Sequence, residues 1–210
     1  MEIIYTDKDV VVAVKPNGVL STDEPGGMPE LLRTALGTNN IRSVHRLDRV
    51  VAGLMVYALR SKAASELSRQ MREGEFRKEY LAVVTGQLPD VGQLRHLLMR
   101  DPTERKTYAV TVPQKGAQEA VLNYRVLDRK GDQNLVRIQL LTGRTHQIRA
   151  QFSAIGCPLV GDPKYGGAEN EVIGLWSCKL QFRQPYSGEP LEFIQKPQGK
   201  LWEQFDYNID

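Results

Sequence analysis

Short β-branched and apolar runs, each closed by a turn signal, limit this chain to few folds. Val10-Val11-Val12-Ala13-Val14 stops at Lys15-Pro16-Asn17-Gly18, where Pro fixes φ and Gly accepts a positive one. Ile3-Ile4-Tyr5 precedes it, and Leu54–Leu59, Tyr80–Thr85, Thr107–Val112, Val121–Leu127 and Val136–Leu141 read as further strands. Helical spacing is clear in only two places. Ser61 suits the cap of a helix from Lys62 that aligns Ala64, Leu67 and Met71 and stops at Gly74. A second is predicted from near Thr145, with Ile148, Phe152 and Ile155 on one face and Gly156 and Pro158 ending it. Many antiparallel-looking strands with two or three interspersed helices predict an α+β fold, not a doubly wound one. The tail after Pro185 reads as short strands and a last helical turn.

With no repeat, low-complexity tract or long linker, residues 1–210 are expected to form one catalytic domain. Apolar residues make up 41% of the chain and charged ones 25%, enough for a packed core and too apolar for a disordered tail. The longest stretch without Asp, Glu, Lys or Arg, Ala150 to Gly161, is far short of the roughly 20 residues of a membrane-spanning helix. No basic start followed by an apolar run opens the chain, and Cys157 and Cys178 form no Cys-x-x-Cys pair. A reduced cytoplasmic setting is therefore expected. No apolar stripe stands out, so a monomer is expected, and the net charge of +3 leans toward an anionic partner.

Common cofactor signatures are missing: no Gly-x-Gly, no phosphate loop, no Gly-x-Ser-x-Gly elbow. His45, His96 and His146 lie far apart, without metal-ligand spacing. No cofactor and no metal are expected, which leaves ordinary side chains to carry the chemistry. Four segments offer some. His45-Arg46-Leu47-Asp48-Arg49 sets a carboxylate among cations, which keeps it ionised; it equally suits a surface loop with ion pairs. Thr142-Gly143-Arg144-Thr145-His146-Gln147-Ile148-Arg149 puts guanidinium forks at a helix start, suited to phosphate oxygens or to plain capping. Arg77-Lys78-Glu79-Tyr80 offers a ring that stacks on a base or closes a core edge. Gly156-Cys157-Pro158-Leu159-Val160-Gly161-Asp162-Pro163-Lys164-Tyr165-Gly166-Gly167 is a loop that lines a cleft or simply turns.

In this order, these segments together resemble the RluA-type RNA pseudouridine synthases, on His45-Arg46-Leu47-Asp48, Lys78-Glu79-Tyr80-Leu81-Ala82, Gly143-Arg144-Thr145-His146-Gln147-Ile148-Arg149 and Gly161-Asp162-Pro163-Lys164-Tyr165-Gly166. Lys15-Pro16-Asn17-Gly18 fits the family's early Lys-Pro-x-Gly turn. The resemblance spans roughly Ile3 to Pro197. It implies the pseudouridine synthase fold, a mixed, mostly antiparallel sheet with a central catalytic cleft. It also implies an isomerase acting on ribosomal or transfer RNA, expected at a stem-loop. Asp48 would be the catalytic carboxylate, Tyr80 the ring stacked on uracil, Arg144 the partner of Asp48, and Arg46 the filler of the flipped uridine's place. His45, Arg42, Arg69, Arg72, Arg77, Lys78 and Arg149 would contact the RNA. Some members carry an extra N-terminal RNA-binding domain; with a first strand at Ile3, none is expected here.

Two departures stand out. Arg49-Val50-Val51-Ala52-Gly53 replaces the family's frequent x-x-Thr-Ser-Gly, with two hydroxyls lost that could stiffen the loop. Leu175-Trp176-Ser177 stands where a His-Ala pair is common. Two other readings compete: a non-catalytic RNA-binding module acting as a chaperone, and a hydrolase pairing Asp48 with His45 or His146.

Overall fold

The computed structural model describes residues 1–209. In chain order the elements are β1 (Glu2–Thr6), β2 (Val10–Lys15), α1 (Met28–Leu36), β3 (Arg42–Ser43), β4 (Ala52–Ala58), α2 (Ser61–Glu73), β5 (Arg77–Thr85), β6 (Val91–Asp101), β7 (Lys106–Val110), β8 (Gln118–Lys130), β9 (Gln133–Leu140), α3 (Gln147–Ala154), a single 3₁₀ turn (Pro163–Tyr165), β10 (Leu175–Arg183), β11 (Pro190–Ile194) and α4 (Lys200–Glu203). The class is α+β, as the strand-rich pattern required. The chain folds as two compact units: Met1–Lys78 with Trp176–Lys196, and residues 79–175 with 197–209. No helix among the described residues is long and apolar enough to cross a membrane.

In the first unit β2 is the central piece. It pairs antiparallel with β1 and with β4, Val12 opposite Val56 and Val10 opposite Ala58. β4 also pairs with β3 and, in parallel, with β10, which pairs with β11. The even-numbered side chains Val10, Val12, Leu54, Val56 and Ala58 pack with Ala63, Leu67, Phe76, Leu180 and Phe182. Phe76 stacks on Phe182 at 5.2 Å. Burying Leu67 fully, as here, is worth about 1.5–3 kcal/mol. The helix expected from Lys62 begins one residue earlier: Arg60, extended, is its cap residue, and Gly74, at φ 74°, ends it as expected.

α1 escaped the periodicity reading. Its signals were local: Pro29 in the first turn, Met28 and Leu32 buried, and Gly37 at φ 62° as the stop. In the second unit β5, β9, β8, β6 and β7 form an antiparallel run in that order. One face of it holds Tyr80, Ile138 and Tyr124 in register. α3 lies on that face, with Phe152 edge-on to Tyr124 at 5.6 Å and the Gln151 amide donating to the Leu94 and Ala120 carbonyls. α3 starts at Gln147 rather than near Thr145, and Ile155 falls outside it, 37% exposed. β6 was missed because its alternation is interrupted by Gly92 and by charged and polar side chains; β7 stops at Val110, short of Val112.

Candidate active site

Asp48 sits half-buried in the loop between β3 and β4. That loop is held by its backbone. The Leu47 carbonyl accepts from Ser21 Oγ at 2.8 Å, and the Asp48 carbonyl from the Val51 amide at 3.0 Å. The Arg49 carbonyl accepts from the Gly18 amide at 2.9 Å and from Lys15 Nζ at 3.2 Å. The Val50 carbonyl accepts from Asn17 Nδ2 at 2.9 Å. Four successive acceptors are thus satisfied, three of them by the Lys15–Ser21 segment, and Arg49 Nε returns a bond to the Gly18 carbonyl at 2.8 Å. Each such bond adds about 1 kcal/mol net. Together they fix where the Asp48 side chain leaves the backbone. The hydroxyls missing at Val51 and Ala52 are not needed for this, because Val51 supplies its amide and is itself buried.

Lys15 is the residue that sequence reasoning passed over. It is fully buried, and besides the Arg49 carbonyl its ammonium donates to the Pro16 carbonyl at 2.8 Å and the Val19 carbonyl at 2.7 Å. Burial pulls its pKa down to about 8, while the negative charge of Asp48 pushes the other way. The amine is closed off from water and sits within electrostatic reach of Asp48. The signal was the Lys-Pro-Asn-Gly turn itself, read only for its backbone.

The expected RNA-contacting cations fall into two groups. Arg42, Arg46, Arg72 and Arg77 are exposed, open to phosphate. Arg69 is drawn into a carboxylate cluster, 2.7 Å from Glu66, 3.0 Å from Glu75 and paired with Glu73; its hydrogen bonds pull Glu66 down to about 2. His45 faces inward. Its Nε2 accepts the Val56 amide at 3.1 Å, its ring lies 5.8 Å from Phe76, and its Nδ1 is shut from solvent without a partner. Burial first, and the Lys78 charge second, hold its pKa well below the usual value, so its ring is neutral and offers no cation to a phosphate. Burial lowers the Lys78 pKa too.

In the second unit Tyr80 lies on β5, 5% exposed and opposite Ile138. Arg144 is exposed, with Nε donating to the Glu119 carbonyl at 3.0 Å. Its turn is closed by Gln147: Oε1 accepts from the Arg144 amide at 3.0 Å and from Thr142 Oγ1 at 2.8 Å, while Nε2 donates to the Val121 carbonyl at 3.1 Å. Arg149 departs from expectation. It is 5% exposed and grips Asp162 bidentately, Nε to Oδ2 at 2.7 Å and Nη2 to Oδ1 at 2.8 Å, so its fork anchors the Gly161–Gly167 loop instead of a surface phosphate. That loop is a built structure rather than a set of free turns: the Asp162 carbonyl accepts the amides of Tyr165 and Gly167, both at 3.0 Å. No group of three or more His, Cys, Asp or Glu among the described residues is arranged to hold a metal.

The RNA pseudouridylate synthase family model matches residues 9–154. The chain is 35% identical over 208 residues to the Bacillus subtilis protein described as an uncharacterized RNA pseudouridine synthase, YlyB, covering 92% of this chain and 68% of that one. It is 32% identical over 212 residues to the Haemophilus influenzae dual-specificity RNA pseudouridine synthase RluA, covering 93% of each. Among solved structures, human RNA pseudouridylate synthase domain containing 1 superposes with a TM-score of 0.79 at 26% identity, over 93% of this chain and 83% of that one. A mixed, mostly antiparallel sheet, a motif order that runs through both units and relatives matched along nearly the whole chain agree: this protein belongs to the RNA pseudouridine synthases, a family of isomerases, and is of RluA type.

Proposed function

We propose that the two units act as one catalytic domain that converts specific uridines to pseudouridine in ribosomal or transfer RNA, with Asp48 as the catalytic carboxylate. The observation that carries this reading is the pinned loop: every carbonyl from Leu47 to Val50 is bonded, with a buried ammonium beside it. A surface loop with no task beyond solvation has no need of such anchoring. In the reaction the N1–C1′ bond breaks, the uracil turns and a C5–C1′ bond forms. The proton lost from C5 is balanced by one gained at N1, so no external oxidant or reductant takes part. Asp48 attacks C1′ or removes a neighbouring sugar proton. Tyr80 stacks on the uracil and keeps it from drifting into water between the two bond changes. Arg144 offers its guanidinium fork to an anion. Arg46 fills the place of the flipped uridine, and Arg42, Arg72, Arg77 and Lys78 meet phosphates. Flipping costs a few kcal/mol and least in unpaired segments, so targets in loops or bulges are favoured.

The test is isomerisation of uridine in total RNA by the wild-type protein and by Asp48→Asn. Conversion by the first and none by the second is expected, with RNA affinity kept. Equal conversion by both rejects the carboxylate assignment; RNA binding without conversion by either favours a binding-only module, and release of free uracil favours a hydrolase. Mapping modified uridines with and without the gene names the target.

A further inference from the structure

The turn that carries Arg144 contains a residue in an unusual conformation. His146 lies at φ 54°, ψ 24°, the left-handed region that side chains with a Cβ seldom occupy without outside support. The support comes from the Gly161–Gly167 loop. Tyr165 is 4% exposed, and its hydroxyl has two neighbours at 2.8 Å: the Thr107 amide of β7 and His146 Nδ1. The amide can only donate, so the phenol oxygen accepts from it. The phenol proton, closed off from water, then needs an acceptor: His146 Nδ1 at 2.8 Å is one, and the buried Thr107 Oγ1 beside it is the other. With the phenol proton directed to His146, Nδ1 is the bare nitrogen of the ring and the His146 proton sits on Nε2.

Tyr165 is itself held. Its carbonyl accepts from Ser153 Oγ at 2.7 Å, its amide donates to the Asp162 carbonyl at 3.0 Å, and the Arg149 guanidinium lies 4.9 Å from its ring centre. Lys106 Nζ lies 5.2 Å from the same centre. Two cations near the ring make the O–H a better donor, while burial keeps it protonated by raising its pKa.

We propose that Tyr165 is a positioning residue for the reaction: its phenol sets which nitrogen of His146 carries the proton and holds the left-handed turn from which Arg144 projects. This rests on the reading that the Arg144 turn serves isomerisation. Bonds from the β7 backbone, the loop and α3 all converge on Tyr165, its phenol and its backbone together, so a change at position 165 is felt at Arg144 without touching the RNA.

Two readouts test it. Nitrogen-15 NMR of the intact protein is expected to show His146 as the Nε2–H form, and Tyr165→Phe to shift it toward Nδ1–H. In single-turnover assays Tyr165→Phe is expected to slow isomerisation on the order of tenfold with RNA affinity within about twofold. His146→Asn, which tolerates the left-handed backbone but lacks the ring, should slow it similarly, and the double variant no further. A wild-type His146 protonated on Nδ1, an unchanged tautomer in Tyr165→Phe, or losses that multiply in the double variant each overturn the proposal. Because the tautomer is read without turnover, a protein with that tautomer and no isomerase activity overturns only the parent functional reading.

Discussion

The Asp48 loop and the Arg144 turn are both short basic segments that follow strands, yet they are held by opposite means. The first hangs from its own carbonyls, which are gripped by Lys15, Asn17, Gly18, Ser21 and Val51. The second is fixed by side chains that recognise side chains: Gln147 with Thr142, Tyr165 with His146, Arg149 with Asp162. Carbonyls exist at every residue, so backbone anchoring leaves loop side chains free to vary. That is why Val51 and Ala52 replace hydroxyl residues beside Asp48 without loosening the loop. Side-chain anchoring demands particular partners, and the Arg144 turn should tolerate far less change.

The largest effect is expected where side-chain anchoring is most buried. Asp162→Ala takes the bidentate acceptor from a buried guanidinium and should lower the unfolding free energy by about 3–5 kcal/mol, read by denaturant titration. Lys15→Met tests the backbone-held loop. Three carbonyls lose a donor, one of them keeping the Gly18 amide, and a loss of about 2–3 kcal/mol is expected, with activity falling further than stability does. Lys15 also sets a pH signature. Its ammonium is charged below about 8 and neutral above, so single-turnover rate should decline as pH rises past that point, and Lys15→Met should lack that limb.

His45 gives a smaller effect on the acid side. Its folded-state pKa is depressed, so the unfolded chain takes up its proton first. Stability present above about pH 6.5 is then lost as pH falls, by at most about 1.4 kcal/mol per pH unit, and His45→Gln should flatten that slope. Arg69 is expected to matter least. Engaged by three carboxylates, its charge is already matched, so Arg69→Ala should leave melting temperature and RNA affinity unchanged, whereas Arg72→Ala is expected to weaken binding and reduce its salt dependence.

Most of the fold was legible because its strands are β-branched and its turns carry Gly or Pro. Val10–Val14 landed within a residue of β2, and Val136–Leu141 within three residues of β9. What escaped were elements whose signals are local or mixed, such as α1 behind Pro29 and the polar strand β6. The motifs that carry the family resemblance were legible as well, yet charge alone does not say which way a side chain faces. Arg149 and Arg144 are five positions apart in one motif; one is buried on Asp162 and the other open. His45 reads as a polar contact residue and is instead packed against Phe76. Lys15 reads as half of a turn and turns out to be the cation beneath the Asp48 loop.

Gly53 has a consequence for how sequences of this kind can diverge. It lies at φ 120°, and a Cβ there would come within 2.4 Å of the Ser177 carbonyl oxygen across the parallel β4–β10 pair. On the partner strand the Ser177 hydroxyl donates to the Leu54 carbonyl at 2.9 Å. Position 53 therefore acts as a pivot closed to every other amino acid, so change accumulates at its neighbours. Substitutions at 51, 52 and 177 belong to one linked neighbourhood, and a graft of the Thr-Ser pair from a relative is best made together with the matching change on β10.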